Sequence, residues 1–428
     1  MNPASPSTGS KVHPMTRRRF LAWSGVAGGA VAAGAGVAVT WKQLLHAAHA
    51  TPLDPAAGVL VVVTLYGGND GLNTVVPAGD PAYQQARPDL AYKPEEVLDL
   101  GDGLGFNPGL KGLKGLWDSK SLAVIRGTGY PKPDRSHFRS MAIWQTAAPD
   151  TPSTTGWLGR WLDGAGADPM KALSLDPVLP PLLAGEKVAA AALGRNGLAM
   201  PSGKAGDALK AMARPSSEDG PWQAAGAASV AELIKASETF NPAVHSADDT
   251  HDPSEPDDKT GPASTAGGQS GLARQLDLVA SLVELGVPTR VYSVSLGGFD
   301  THSDERGTQQ RLLGELDAAL SGFAARLAKT DRGAQVVTMV YSEFGRRVHA
   351  NASQGTDHGT AGPMFVLGRG VQDGFHGAQP SLTDLDDGDL KFDVDFRDVY
   401  ATMLDKVLGA DPGQALSGWT GSVDKLIA

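Results

Sequence analysis

Apolar positions along the chain fall into two alternating patterns. Val59 to Leu65 is an unbroken apolar run apart from one threonine, the pattern of a strand covered on both faces rather than one. Ser121 to Arg126, Arg290 to Leu296, Gln335 to Ser342 and Pro363 to Leu367 follow the same pattern. Between them, Leu272 to Leu285 and Gln309 to Leu327 carry apolar residues three and four apart, which predicts helices with one buried stripe. Phe396 to Leu408 predicts a C-terminal helix. Strands alternating with helices predict an α/β fold: a doubly wound, mostly parallel sheet with helices on both faces. Residues 51–428 are expected to form a single domain, interrupted at 241–269 by an insertion of Asp, Ser, Pro, Thr and Gly too polar to fold. Trp117, Trp144, Trp157 and Trp161 are expected to fill the core.

The first fifty residues carry a different pattern. Arg17 and Arg18 follow Thr16 and stand two and three residues before Phe20 and Leu21; a weakly apolar Ala/Gly/Val run continues to Val39, and Ala48-His49-Ala50 offers a small-x-small cleavage site. The arrangement resembles a twin-arginine export signal over 1–50, with an uncleaved anchor as the alternative. The expectation is a periplasmic or extracellular protein that meets the twin-arginine translocase during export and keeps no stable membrane span when mature. The chain has no cysteine, which rules out disulfides, thiolate metal sites and a cysteine nucleophile. Its formal net charge of −10 becomes more negative once the acid-free first fifty residues are set aside, and this excludes a nucleic-acid partner. Neither the dinucleotide-binding and phosphate-loop spacings nor a Gly-x-Ser-x-Gly elbow is present.

In doubly wound sheets ligands bind beyond the carboxyl ends of the strands. Here the predicted strand ends run into Gly67-Gly68-Asn69-Asp70, Gly298-Phe299-Asp300-Thr301-His302 and Ser342-Glu343-Phe344-Gly345-Arg346, the last continuing to Asp357-His358. Carboxylates and imidazoles gathered at one edge are the donor set of a divalent metal, with Zn, Mg, Mn or Ca as candidates and the number of ions open. Of ten histidines, three lie in the export segment and two in the insertion, leaving His137, His302, His349, His358 and His376. Ser136 precedes a predicted helix, where it is either a nucleophile or an N-cap. Thr74 and Ser140 are the other candidate hydroxyls. Arg346 either grips a tetrahedral anion bidentately or forms a surface ion pair beside Arg347.

The Gly-Gly-Asn-Asp-Gly-Leu-Asn-Thr run at 67–74, Ser136-His137-Phe138 with Trp144, Gly298 to His302, Glu343 to Arg346 and Asp357-His358-Gly359 together resemble domain-of-unknown-function family 1501 over about residues 58–410. Members are exported bacterial proteins grouped with the alkaline phosphatase and sulfatase superfamily. The resemblance implies a metal-dependent hydrolase of phosphate or sulfate esters acting on a small-molecule or glycan ester. In that pattern Asp70 is the early ligand, Asp300 with His302 the middle pair, Asp357 with His358 the late pair and His376 a final ligand. Glu343 competes with Asp357 for its place, because it ends the strand directly. Ser136 and Arg346 are the catalytic candidates. The alternative is a non-catalytic envelope binding or assembly protein that keeps the fold.

Overall fold

The computed structural model describes residues 37–39, 41–176, 179–193, 207, 210–211, 213–214, 234 and 271–428. The twin-arginine run and the 241–269 insertion lie outside the described residues. The strands are β1 (Val37–Val39), β2 (Val59–Leu65), β3 (Val75–Val76), β4 (Leu98–Gly101), β5 (Leu104–Phe106), β6 (Leu122–Gly129), β7 (Ala172–Ser174), β8 (Ala191–Leu193), β9 (Val291–Leu296), β10 (Val336–Ser342), β11 (Arg346–Ala350), β12 (Thr356–His358), β13 (Gly362–Gly368), β14 (Gly374–His376) and β15 (Val394–Asp395). The helices are α1 (Trp41–Ala50), α2 (Pro81–Ala86), α3 (Lys111–Asp118), α4 (His137–Thr146), α5 (Trp157–Gly164), α6 (Gly271–Glu284), α7 (Glu305–Leu327), α8 (Phe396–Thr402) and α9 (Pro412–Ala415).

Ten strands form the main sheet in the order β1-β8-β7-β9-β2-β10-β13-β6-β14, with β15 beside β6. Only β13 runs against the rest, pairing antiparallel with both β10 and β6. The sheet is therefore the doubly wound, mostly parallel one that the alternation predicts. Its central strand shows why the sequence reads as an unbroken apolar run. Val59, Val61, Val63 and Leu65 face one core with Leu276 of α6 and Leu313, Leu316 and Leu320 of α7. Leu60 and Val62 face a second core with Trp144, Trp157, Phe396 and Tyr400. Side chains alternate across the sheet, and both sides are dry. Trp144 stacks on Phe396 at 4.5 Å and Trp157 on Tyr400 at 4.4 Å. Trp144, Trp157 and Trp161 are buried as expected, and Trp117 packs partly buried against the first core.

Two boundaries differ from the predicted ones for physical reasons. Helix α7 starts at Glu305, four residues before the predicted Gln309, because its first turn is polar and carries no apolar stripe. The C-terminal helix stops at Thr402 and continues as a π-helical turn over Met403–Val407. Residues 37–39 and 41–50, inside the predicted export segment, form β1 and α1, with β1 parallel to β8 and Leu44 buried. Among the described residues no helix is long and apolar enough to cross a membrane.

Helix α7 also starts another helix. The N-cap position of α3 is Leu110, whose side chain accepts nothing, and Asp317 of α7 takes its place. Its Oδ2 accepts from Gly112 N at 2.8 Å and its Oδ1 from Leu113 N at 2.7 Å. An N-cap acceptor contributes about 0.5–2 kcal/mol. Asp317→Ala is expected to lower stability by about that amount, ~0.5–2 kcal/mol, read as a fall in the urea midpoint.

Candidate metal centre

The site is built where β2, β9 and β10 end. Beyond β2 the chain turns through Gly67 and Gly68, both at positive φ. A Cβ at 67 would lie 2.5 Å from Asp300 N, and one at 68 would lie 2.1 Å from the Phe344 ring, so only glycine lets the three strand ends meet. Arg346, buried although its neighbours are charged, ties them together. Its Nε donates to Gly68 O at 2.7 Å, its Nη1 to Thr356 O at 3.0 Å, and its Nη2 to Gly67 O, to Phe299 O at 3.0 Å and to Asp300 Oδ1 at 2.8 Å.

Around Asp300 Oδ1 stand three imidazoles, each presenting Nε2. His302 is at 3.1 Å, His358 at 3.2 Å and His137, the first residue of α4, at 3.3 Å. The Nε2 atoms of His302 and His358 are 2.9 Å apart. Ligand atoms of His137, Asp300 and His358 all lie within 4.8 Å of one another. Each ring is held from behind through Nδ1. His137 Nδ1 is 2.8 Å from Glu343 Oε1, His302 Nδ1 is 3.3 Å from Asp357 Oδ1, and His358 Nδ1 is 2.7 Å from Arg135 O.

A carbonyl or carboxylate oxygen can only accept, so every Nδ1 carries its proton, and in the neutral ring Nε2 is a lone pair. Three neutral rings would thus point three lone pairs at one carboxylate oxygen, an arrangement that repels itself unless a cation sits among them, either a metal ion or a proton carried on a ring. His137 Nε2 has no hydrogen-bond partner, although it is buried. A divalent metal fits this donor set, with three imidazole nitrogens and one carboxylate oxygen inside and oxygen acceptors orienting the rings outside. The local field favours positive charge as well. Without a metal a proton takes that place on His137: burial opposes its charged form, but the Asp300 and Glu343 carboxylates outweigh that and raise its pKa to about 9. Burial pushes Asp300 upward too, yet bonds from His137, His358 and Arg346 hold it far below the usual carboxylate range. The Asp300 side chain remains half exposed, so the centre opens to solvent.

The predicted site residues fall into distinct places. Asp300, His302 and His358 meet as donors. Glu343 and Asp357 belong to the same cluster but stand behind imidazoles: Glu343 also accepts from Gly67 N at 2.9 Å, and Asp357 lies on strand β12 rather than in a loop. Asp70 does not enter the group; it is buried in an ion pair with Arg87 that uses both carboxylate oxygens. His376 sits on β14 at the edge of the sheet, its Nε2 3.0 Å from Gln372 O. Arg346 is neither a surface ion pair nor a free anion clamp, since its guanidinium is spent on four carbonyls and Asp300. Among the hydroxyls, Thr74 and Ser140 are fully buried, Thr74 bonded to Asn69 and Asp70 O and Ser140 to Tyr130 and Glu343 O. Ser136 is exposed at the N-terminus of α4, in the N-cap position but with no side-chain cap bond. His137 joins the donors although sequence reasoning assigned it no role; its place directly after the polar loop that follows β6 is the signal that marks it.

Residues 126–426 match the family model described as a protein of unknown function (DUF1501). The chain belongs to this family. The match begins after the Gly67 to Thr74 run, so that motif stands outside the matched span. No curated protein matches the chain. Among solved structures the chain is similar to a protein in the alkaline phosphatase superfamily from Vibrio parahaemolyticus, with 10% identity, coverage of 89% of this chain and 78% of that one, and a TM-score of 0.38. It is similar to the lipoteichoic acid synthase LtaP from Listeria monocytogenes, with 11% identity, coverage of 89% and 81%, and a TM-score of 0.39. It is also similar to the C-terminal periplasmic domain of EcEptC from Escherichia coli in complex with Zn, with 10% identity, coverage of 74% of each chain and a TM-score of 0.35.

The hairpin carrying Asp357 and His358 reaches the centre across a close backbone contact. A Cβ at Gly355 would lie 2.3 Å from the carbonyl carbon of His302, whereas one at Gly307, exposed in the first turns of α7, meets nothing within 4 Å. Gly355→Ala is expected to lower stability by about 1–3 kcal/mol. Gly307→Ala should raise it by up to about 1 kcal/mol, and urea midpoints of the two variants should move in opposite directions.

Proposed function

We propose that this chain is an exported, metal-dependent hydrolase of phosphate or sulfate esters, acting on a small-molecule or glycan ester. The observation that carries the reading is the convergence of His137, His302 and His358 Nε2 on Asp300 Oδ1 with every Nδ1 held from outside. These four residues would hold the ion, with Zn, Mn, Mg or Ca as candidates; the nitrogen-rich set favours Zn over Mg and Ca. When bound, such an ion supplies Lewis acidity toward an ester oxygen. Ser136 is the nucleophile in this scheme. Its exposed hydroxyl adjoins His137 at the N-terminus of α4, where the helix dipole favours the charge that develops on the attacked group. The serine oxygen bonds to phosphorus or sulfur while its proton passes to the departing ester oxygen, which leaves as the alcohol; water then cleaves the serine ester, releasing phosphate or sulfate and restoring the hydroxyl. Glu343, Asp357 and the Arg135 carbonyl keep the three rings aimed. In the same reading residues 1–50 direct export through the twin-arginine translocase and residues 51–428 form the working domain.

One observation favours the second reading, a non-catalytic envelope binding or assembly protein. Arg346, the cation nearest Asp300, is committed to backbone carbonyls and cannot turn toward a tetrahedral anion. Two measurements separate the readings: elemental analysis of the purified full chain, and turnover of an aryl phosphate and an aryl sulfate. The hydrolase reading expects near-stoichiometric metal that is lost in Asp300→Ala, and turnover that falls at least ~100-fold in Ser136→Ala with metal retained. Metal without turnover of either ester would favour the binding protein, and absence of metal in the wild type would remove both the centre and the mechanism.

A further inference from the structure

Beneath the ligand-bearing loops lies an ionic group that the centre itself does not use. Asp70, Arg87 and Glu305 are each at most 1% exposed, and they bring two carboxyls to one guanidinium. Arg87 spends its charge on Asp70, with Nη1 on Oδ2 and Nη2 3.1 Å from Oδ1. Its other bonds go to Val348 O at 2.9 Å, Arg347 O at 2.6 Å and Asn73 Oδ1 at 3.1 Å. Glu305 is left without a cation of its own. Its Oε2 accepts from Thr356 Oγ1 at 2.5 Å, and its Oε1 is buried with no hydrogen-bond partner. One turn along α7, Gln309 Oε1 is buried in the same condition. The neighbourhood is short of donors rather than acceptors.

Magnitudes decide the charge state. The opening turn of α7 favours an anion by about 0.3–2 kcal/mol. Burying an ionised carboxylate with no partner costs several kcal/mol, and a proton on Oε1 removes that cost while supplying a donor. We propose that Glu305 is kept as a neutral carboxylic acid and serves as the positioning residue of the centre, donating to Asp70 and accepting from Thr356. Its place gives it that reach. Glu305 follows Asp300 and His302 by a few residues, its own N–H donates to Gln354 O at 3.0 Å in the β11–β12 hairpin, and Thr356 adjoins Asp357 and His358. One side chain thus joins the loop after β2, the loop after β9 and the hairpin. The charged and titratable groups facing it are Asp70 and Arg87, with Tyr83 and Arg346 behind them. Burial first, then the Asp70 charge and the bond shared with Asp70, push the Glu305 pKa up to about 9. Asp70 is pushed up by burial but is held below its ordinary value by Arg87 and by that same bond.

The positioning role rests on the metal-centre reading; the protonation does not. A carboxyl whose folded pKa lies above its unfolded value of about 4.3 stabilises the fold below that value and loses the contribution as pH rises through about 9. Glu305→Gln copies the neutral acid, with an amide to donate and a carbonyl to accept. In the full chain it is expected to be at least as stable as the wild type at neutral pH, to show a clearly smaller fall in urea midpoint between pH 7 and 10 than the wild type, the remainder coming from His137, and to bind Zn²⁺ within about twofold of it. Glu305→Ala, which strands Asp70 and Thr356, is expected to weaken Zn²⁺ binding about tenfold or more. Should that variant not fold, Thr356→Val, which removes the donor to Oε2 with little change of shape, is expected to weaken Zn²⁺ binding by about tenfold. A Glu305→Gln variant as unstable as Glu305→Ala, or parallel pH profiles for wild type and Glu305→Gln, would overturn the protonation. Unchanged Zn²⁺ affinity in both Glu305→Ala and Thr356→Val would overturn the positioning role. Wild-type protein that takes up no Zn²⁺ would remove that role together with the metal reading, while the pH profiles would still decide the protonation.

Discussion

One carboxylate oxygen, Asp300 Oδ1, has three imidazole nitrogens and a guanidinium within about 3.3 Å. Little else near the strand ends makes sense without that crowding. The rings are turned inward because Glu343, Asp357 and a backbone carbonyl hold their outer nitrogens. Those holders stand where they do because Arg346 gathers the carbonyls of three separate segments into one buried fork. An arginine buried among carbonyls satisfies its N–H groups but leaves its charge to Asp300, and this fixes Asp300 as an anion before any other cation arrives. The electrostatics therefore precede any ligand: the polypeptide assembles a negative oxygen and three inward-facing ring nitrogens, a setting that favours a cation among them.

The layout of the sheet was legible because burial on both faces leaves a plain mark. Val59 to Leu65 could be assigned from apolar continuity alone, and the helices of α6 and α7 from their spacing. The first turn of α7 was not legible, since Glu305 and Gln309 are buried polar residues and burial by hydrogen bonding leaves no periodic trace. The same limit governs the site. Asp300, His302 and His358 stand at strand ends or in a short strand beside them, where chemistry was expected. Asp70 also follows a strand, but the partner that claims it, Arg87, comes 17 residues later and has no motif to announce it. Glu343 and Asp357 were rivals for one ligand position in the sequence; in three dimensions they serve different rings, a distinction that spacing along a chain cannot express. His376 shares its residue type with the ligands but lies across β13 and β6 from them, and strand order is not written in local sequence.

Neutral carboxyls beneath a charged site give a core two properties at once. They bond like amides, yet they can lose their proton, so their support weakens under alkaline conditions where an amide would not. The network of Asp70, Arg87, Glu305 and Thr356 joins segments that contact one another nowhere along the sequence. It also explains why so many polar side chains, among them Asn69, Thr74 and Gln309, are tolerated without exposure: each closes a hydrogen bond that the turn after β2 would otherwise leave open.

The donors of the centre come from far apart in the chain. His137 and Glu343 are 206 residues apart, and His358 and the Arg135 carbonyl are separated by 223. Contacts of such span carry a large loop-closure entropy, so the full set comes together only in the folded chain. Along the unfolded chain the residues of the centre reduce to two neighbouring pairs, Asp300 with His302 and Asp357 with His358. On the proposed metal reading, capture of an ion by the full donor set is therefore a property of the folded chain, and uptake would report that folding is complete. In a chain exported after folding, it would be loaded with whatever metal the compartment of synthesis supplies.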